Sequence, residues 1–183
     1  MTDSPTLLTT RAHTLGQQLI ARHWQLVTAE SCTGGWIAKV LTDSAGSSAW
    51  FDRGFVTYSN AAKTDMLGVP AALIARDGAV SPAVVRAMAI GALHASHAQM
   101  SVAVSGIAGP GGGSATKPVG MVCLAWGMRA AAASDAPIQV MTRTVQLRGD
   151  RAQIRAATVR LALARLLILL KNEDVANESP LCS

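Results

Sequence analysis

A chain of 183 residues is long enough for one domain with a substantial core and too short for two comfortable ones. Half of the residues are hydrophobic and 15% are charged, which excludes a disordered chain and favours a well-buried sheet or helices. The net charge of +5 raises nucleic acid as a partner, but aromatic residues make up only 4%, so stacking platforms for single strands are scarce.

In chain order, the polar start Met1-Thr2-Asp3-Ser4-Pro5 lacks the charged-then-apolar order of a secretory signal. Ser4-Pro5 opens a helix with Leu8, Ala12, Leu15 and Leu19 on one stripe. Gln25 to Glu30 reads as a strand, Trp36 to Leu41 as a helix, and Phe51 to Tyr58 as a second strand. A helix over Asn60 to Leu67 is stopped by Gly68 and Pro70. Ser81-Pro82 opens another, to about Ala95.

The pattern then changes. Three strands follow without intervening helices: Ser101 to Ser105, Val119 to Gly127 and Ile138 to Leu147. The alanine run Ala130 to Ala133 is a loop between two of them. Asp150 caps a long last helix striped by Ile154, Ala157, Leu161, Ala164 and Ile168. Its apolar run, Leu161 to Leu170, carries Arg165 and is about half a membrane span, so it reads as buried. Much of the positive charge lies at Arg143, Arg148, Arg151, Arg155, Arg160, Arg165 and Lys171. From Arg151 on, its near-helical spacing reads as a solvated helix face. A phosphorylated metabolite explains that charge as well as nucleic acid does, so neither nucleic acid nor membrane is expected as a partner. Residues 1–171 form one domain and Asn172 to Ser183 a polar, frayed tail. Strand–helix alternation followed by a strand meander implies a single three-layer α/β/α domain with a mixed sheet.

Cysteines at 32, 123 and 182 are odd in number and unpaired in spacing, which suits a reducing cytoplasm rather than a disulfide framework. His94 and His97 read as the polar end of a helix; no metal is expected.

Chemistry concentrates at two strand-to-helix junctions. In Thr28-Ala29-Glu30-Ser31-Cys32-Thr33-Gly34-Gly35 a serine stands at the end of a strand beside a glycine pair, and a helix follows at once. The glycines let backbone amides approach a ligand, and a helix start adds N–H groups and a positive dipole end. A nucleophile beside an oxyanion site and an ordinary capped helix both fit this segment. The second junction, Phe55-Val56-Thr57-Tyr58-Ser59-Asn60-Ala61-Ala62-Lys63, puts a lysine early in a helix. The macrodipole disfavours an ammonium there, and partial burial pushes the same way, toward the neutral amine. Serine with neutral lysine is a known alternative to serine with histidine.

The third informative segment runs from Gly106 to Pro118, with five glycines and two prolines just after a strand. Such a backbone-rich loop can approach a phosphate or ribose, or serve as a mere hairpin connection. It is neither a Walker A loop nor a dinucleotide fingerprint. Ser114 and Lys117 spell Ser-x-x-Lys, but Pro118 and the glycines deny the helix that motif needs. Tyr58 and Lys63 are one residue too far apart for the pair of short-chain dehydrogenases.

These segments, together with Ser105-Gly106-Ile107-Ala108-Gly109-Pro110, Gly112-Gly113-Ser114 and Lys117-Pro118-Val119-Gly120, resemble the nicotinamide-nucleotide amidase family. The same domain forms the C-terminal part of the competence-damage-inducible protein CinA. The resemblance spans about residues 5 to 170. It departs where glycine replaces the more usual aspartate at Gly111, and where Leu147-Arg148 replaces an aromatic residue before the Gly149-Asp150-Arg151 turn. It implies a stand-alone cytoplasmic enzyme that hydrolyses the carboxamide of nicotinamide mononucleotide, with Ser31 as nucleophile and Tyr58 and Lys63 as its partners. On that reading Lys63 takes the serine proton, Tyr58 relays or orients it, and amides near Thr33, Gly34 and Gly35 hold the oxyanion. Asn60, Ser105, Gly106, Gly109, Gly112 and Lys117 complete a nucleotide site. No metal or organic cofactor is required. The resemblance also allows a homo-oligomer, with the arginine-rich last helix at a subunit contact or phosphate site. A nucleotide-binding regulatory module without catalysis and an amidase for another carboxamide remain as alternatives.

Overall fold

The computed structural model describes residues 5–129 and 137–178. The alanine loop at 130–133 and Cys182 lie outside the described residues. Six helices and five strands follow in order: α1 (Pro5–Ala21), β1 (Leu26–Glu30), α2 (Trp36–Thr42), β2 (Phe51–Val56), α3 (Asn60–Leu67), α4 (Ala71–Asp77), α5 (Pro82–His94), β3 (Met100–Gly106), β4 (Met121–Arg129), β5 (Ile138–Gln146) and α6 (Arg151–Glu178). The sheet order is β2-β1-β3-β4-β5. β1 runs parallel to both neighbours, and β4 and β5 are antiparallel additions. The expected mixed three-layer α/β architecture is the one observed.

The strands alternate as a sheet covered on both faces requires. Leu26, Met100, Val102, Val104 and Leu124 point into a core with α1, α2 and α6. Val27, Ala29, Ala103, Cys123 and Ala125 point into a second core with α4 and α5. The predicted α1 stripe is buried as read, with Ala12, Leu15 and Leu19 inaccessible. Ser59 and Ser81 cap α3 and α5 by accepting from the N–H groups of Ala62 and Val84. Asp150 caps α6, its carboxylate accepting from the N–H of Gln153 at 2.8 Å.

Three expectations shift. β2 ends at Val56, so Thr57 and Tyr58 lie beyond the strand. Helix α4 was not foreseen, because Gly68 and Pro70 read only as a stop. Pro70 in fact occupies its N-cap position and Gly78 ends it, and a single buried anchor, Ile74, left no apolar stripe to read. On α6 the buried face is Ile154, Thr158, Val159, Ala162, Leu163, Leu166 and Leu170, while Ile168 of the predicted stripe is 45% exposed. The helix is apolar nearly all round in this stretch, so packing chose its inner face. The backbone of α6 also continues through Glu178, into the segment expected to fray.

Candidate active site

The site forms at the carboxyl ends of the three parallel strands, where open α/β sheets present their ligand crevices. Alternation sends Glu30 toward α2 and its neighbour Ser31 toward α3. The ladders extend one residue past β1: Ser31 N–H donates to the Val104 carbonyl at 3.0 Å, and Thr57 N–H to the Glu30 carbonyl at 2.8 Å. Ser31 is thereby pinned between the end of β3 and the segment leaving β2.

Lys63 reaches it from the first turn of α3. Its Nζ lies 3.1 Å from Ser31 Oγ and donates to the Thr57 carbonyl at 2.7 Å and, more weakly, to the Ser59 carbonyl at 3.5 Å. The side chain is 1% exposed, and burial holds its pKa below that of an ordinary lysine. Among the described residues no carboxylate forms an ion pair with it. An ammonium can donate to all three neighbours, and the same geometry serves a neutral amine, with two protons for the two carbonyls and a lone pair for the serine hydroxyl. Cys32, next in sequence, is not a competing nucleophile. Burial pushes its thiol up to about 11, so it stays protonated at neutral pH.

Residues 8–170 match the CinA C-terminal domain family. The nicotinamide-nucleotide amidohydrolase PncC of Escherichia coli K12 is 52% identical over 166 residues, covering 91% of this chain and 95% of that protein. The PncC of Pseudomonas putida is 52% identical over 162 residues, covering 88% and 96%. The crystal structure of a competence/damage inducible protein from Agrobacterium tumefaciens superposes with a TM-score of 0.80 at 46% identity, covering 90% of this chain and 95% of that one. This chain belongs to the CinA C-terminal domain family.

In this CinA domain the turn after Ser31 is built differently from the sequence expectation. Gly34 and Gly35 adopt left-handed φ of 61° and 91°, which the tight entry to α2 requires. The helix start does not offer free amides, however. Glu30, fully buried, accepts from Ile37 N–H at 3.0 Å, Ala38 N–H at 2.8 Å and the Thr33 hydroxyl at 2.6 Å. A carboxylate at that position is the favourable partner of the helix dipole. Trp36 N–H goes to the Thr33 carbonyl and Gly34 N–H to the Ser31 carbonyl. The Gly34 amide is therefore taken, while the N–H groups of Thr33 and Gly35 have no backbone acceptor among the described residues.

Tyr58 is 60% exposed, and its hydroxyl accepts from Arg151 Nη2 at 2.8 Å; it makes no hydrogen bond to Ser31 or Lys63. The tyrosine stands at the rim rather than in the pair. Arg151 also donates to the Gly109 carbonyl at 2.9 Å, tying the glycine-rich loop to that rim. Asn60 is exposed and lines a cavity of about 260 Å³ between α3 and α4. Ser105 is buried with its hydroxyl on the Ala79 carbonyl, and Lys117 Nζ donates to the Asp77 carbonyl at 2.5 Å. Both polar groups thus fasten the end of β3 and its loop to the α4–α5 segment. Gly106 gives room to Cys32, whose sulfur would lie 3.2 Å from an added Cβ. Gly109 and Gly112 take left-handed φ in the loop beyond.

Two residues escaped the sequence reading. Glu30 was seen only as a strand end, and Arg155 only as part of a solvated face. Arg155 is half-buried: Nε donates to the Cys32 carbonyl at 3.1 Å, Nη2 to the Thr33 carbonyl at 2.7 Å, and the guanidinium lies 5.4 Å from the Trp36 ring centroid. A signal existed. Arg151 and Arg155 crowd the start of a helix, the end where cations are disfavoured, which is the argument that singled out Lys63.

Proposed function

We propose that this chain is an amidohydrolase that converts the carboxamide of nicotinamide mononucleotide to the carboxylate with release of ammonia, in pyridine nucleotide recycling. The observation that carries this is the buried contact of 3.1 Å between Lys63 Nζ and Ser31 Oγ, with both remaining Nζ contacts made to carbonyls. The substrate is supported by relatives at 52% identity over most of both chains that bear the name nicotinamide-nucleotide amidohydrolase.

Ser31 Oγ attacks the carboxamide carbon while its proton passes to neutral Lys63, giving a tetrahedral oxyanion and a lysine ammonium. The oxyanion collapses, the C–N bond breaks, and the Lys63 ammonium protonates the departing nitrogen to ammonia. An amide needs this, because its unprotonated nitrogen leaves poorly. Water then adds to the acyl ester, giving its proton to Lys63. Collapse expels Ser31 Oγ, which takes that proton back, and the carboxylic acid product loses its remaining proton to solvent and departs as the carboxylate. Each well-placed oxyanion donor contributes about 3–4 kcal/mol to the barrier reduction. The exposed rim of Tyr58, Asn60 and the Pro110–Gly112 loop, braced by Arg151 through the Gly109 carbonyl, is where the ribose phosphate would rest. Cys32 and Cys123, buried as free thiols, suit a cytoplasmic setting.

The test is ammonia release from nicotinamide mononucleotide by the full chain, with nicotinate mononucleotide identified by mass spectrometry. Tight binding of the nucleotide without ammonia would make the chain a recognition module instead. Turnover restricted to other carboxamides would keep the chemistry and replace the substrate.

A further inference from the structure

We propose that Arg155 is a positioning residue whose guanidinium fixes the Cys32–Thr33 peptide so that the Thr33 N–H becomes the oxyanion donor beside Ser31. This rests on the serine-amidase reading above.

The geometry follows from covalent structure. In a planar trans peptide the C=O and the next N–H point in opposite directions. Arg155 draws the Cys32 and Thr33 carbonyls to one side, at 3.1 and 2.7 Å. The N–H groups of Thr33 and Gly34 must leave on the other side. That side is identified by Gly34, whose N–H lands on the Ser31 carbonyl at 3.0 Å. In a four-residue turn closed this way, the N–H of the third residue is the one that the first residue's side chain can reach. The third residue is Thr33 and the first is Ser31.

Two further observations select this amide. Thr33 is wholly inaccessible, yet its N–H has no backbone acceptor among the described residues. Orphaned buried N–H groups are rare, and one beside a nucleophile has an obvious use. The usual alternative donors, the amides at the start of α2, are already engaged by Glu30. Arg155 also improves the donor it orients. A cation on the Cys32 carbonyl polarises that peptide and strengthens its N–H, as in other hydrogen-bond chains. Trp36 beneath the guanidinium and Gly34 beside it keep the fork in place; an added Cβ at Gly34 would lie 3.6 Å from Nη2.

The experiment compares the parent with Arg155→Met and Arg155→Lys. For Arg155→Met, kcat should fall about 100-fold, the scale of one lost oxyanion donor. KM should stay within about threefold, because the lost interaction belongs to the transition state. Arg155→Lys should be intermediate, since a point-like ammonium cannot span two carbonyls as the planar fork does. The acid limb of the pH–rate profile should not move, because Lys63 is untouched. Labelling of Ser31 by a fluorophosphonate, followed by intact mass, gives the second readout. That adduct is tetrahedral at phosphorus and needs the same donor, so its rate should fall in step with kcat/KM while nicotinate mononucleotide affinity holds.

A lowered melting temperature with unchanged kcat and labelling would make Arg155 a brace only and overturn the proposal. A raised KM at constant kcat would make it a ligand contact and overturn it equally. If Arg155→Met does not fold, Arg155→Lys decides by the same measurements. A parent that releases no ammonia, yet is labelled at Ser31 in an Arg155-dependent way, would end the amidase reading and leave the positioning role standing. A folded parent that resists labelling at Ser31 would end the positioning role.

Discussion

The turn after β1 and the loop after β3 both leave a parallel strand through clustered glycines, and they use them for opposite purposes. In the turn, Ser31, Cys32 and Thr33 are buried, the carbonyls are held by Arg155 from α6, and amides remain unspent. In the loop, Pro110 to Thr116 are exposed, so amides there face solvent, and the backbone bonds that form are local. Ile107 N–H donates to Met121 O at 2.9 Å, Ser114 N–H to Lys117 O at 2.8 Å and Gly120 N–H to Ile107 O at 2.7 Å. Glycine density therefore does not locate chemistry in this molecule. Buried donors left without acceptors beside a buried hydroxyl do.

The sharpest way to separate the two regions is to remove the hydroxyl. Ser31→Ala should lower ammonia release by about a thousandfold or more. Binding of nicotinate mononucleotide should persist, because the loop and rim are untouched. Activity at a tenth of the parent would move the nucleophile out of the turn.

Lys63→Arg should be nearly as damaging as Lys63→Met, since arginine stays protonated and cannot take the serine proton. The acid limb of kcat/KM should rise with pH as buried Lys63 loses its proton, at a value lowered by burial, and should be missing from the residual activity of Lys63→Met. Stability offers an independent check with a definite sign. Below the lowered folded pKa both states hold the proton, and the native state bears a buried ammonium. Between that value and the ordinary lysine value of 10.5 only the unfolded chain is protonated, so native stability rises with pH. Lys63→Met lacks this term. Its advantage in urea midpoint over the parent should shrink as pH climbs through that window, and an advantage constant with pH would place an ordinary ammonium at Lys63.

Gly106→Ala tests the joint between the two regions. Its new Cβ would meet Val122 Cγ2 at 2.7 Å, the Met121 carbonyl at 3.1 Å and Cys32 Sγ at 3.2 Å. Overpacking of this kind costs about 1–3 kcal/mol. The push on Cys32 should also lower kcat about tenfold, a 1 Å misplacement near the chemistry being expensive. Gly111→Ala belongs at the other end of the scale. Nothing lies within 4 Å of an added Cβ there, so stability should stay within about 0.5 kcal/mol and kcat should hold. Comparable losses from both variants, measured by urea titration and ammonia release, would dissolve the contrast between turn and loop.

The sequence by itself determined what short range can encode. Period-two and helical apolar patterns placed ten of the eleven described α-helices and strands, with α4 the exception, because those patterns repeat within one element. The caps Ser81 and Asp150 were legible for the same reason: each accepts from an amide three residues on. Ser31 at a strand end and Lys63 in a first helical turn were suspicious positions before any contact was known. What only the tertiary structure decided lies across distance. Lys63 meets Ser31 across 32 residues, and Arg155 meets Cys32 across 123. Tyr58 faced two partners in sequence and took neither, because β2 stopped short and Arg151 stood at the rim. The amides of α2 looked free until the alternation of β1 turned Glu30 onto them. On α6, the run Leu161 to Leu170 is apolar save for Arg165 and had no preferred face until it packed. Local hydrogen bonds and periodicity are properties of a segment, whereas the partner of a buried polar group is chosen by whichever element the packed sheet brings beside it.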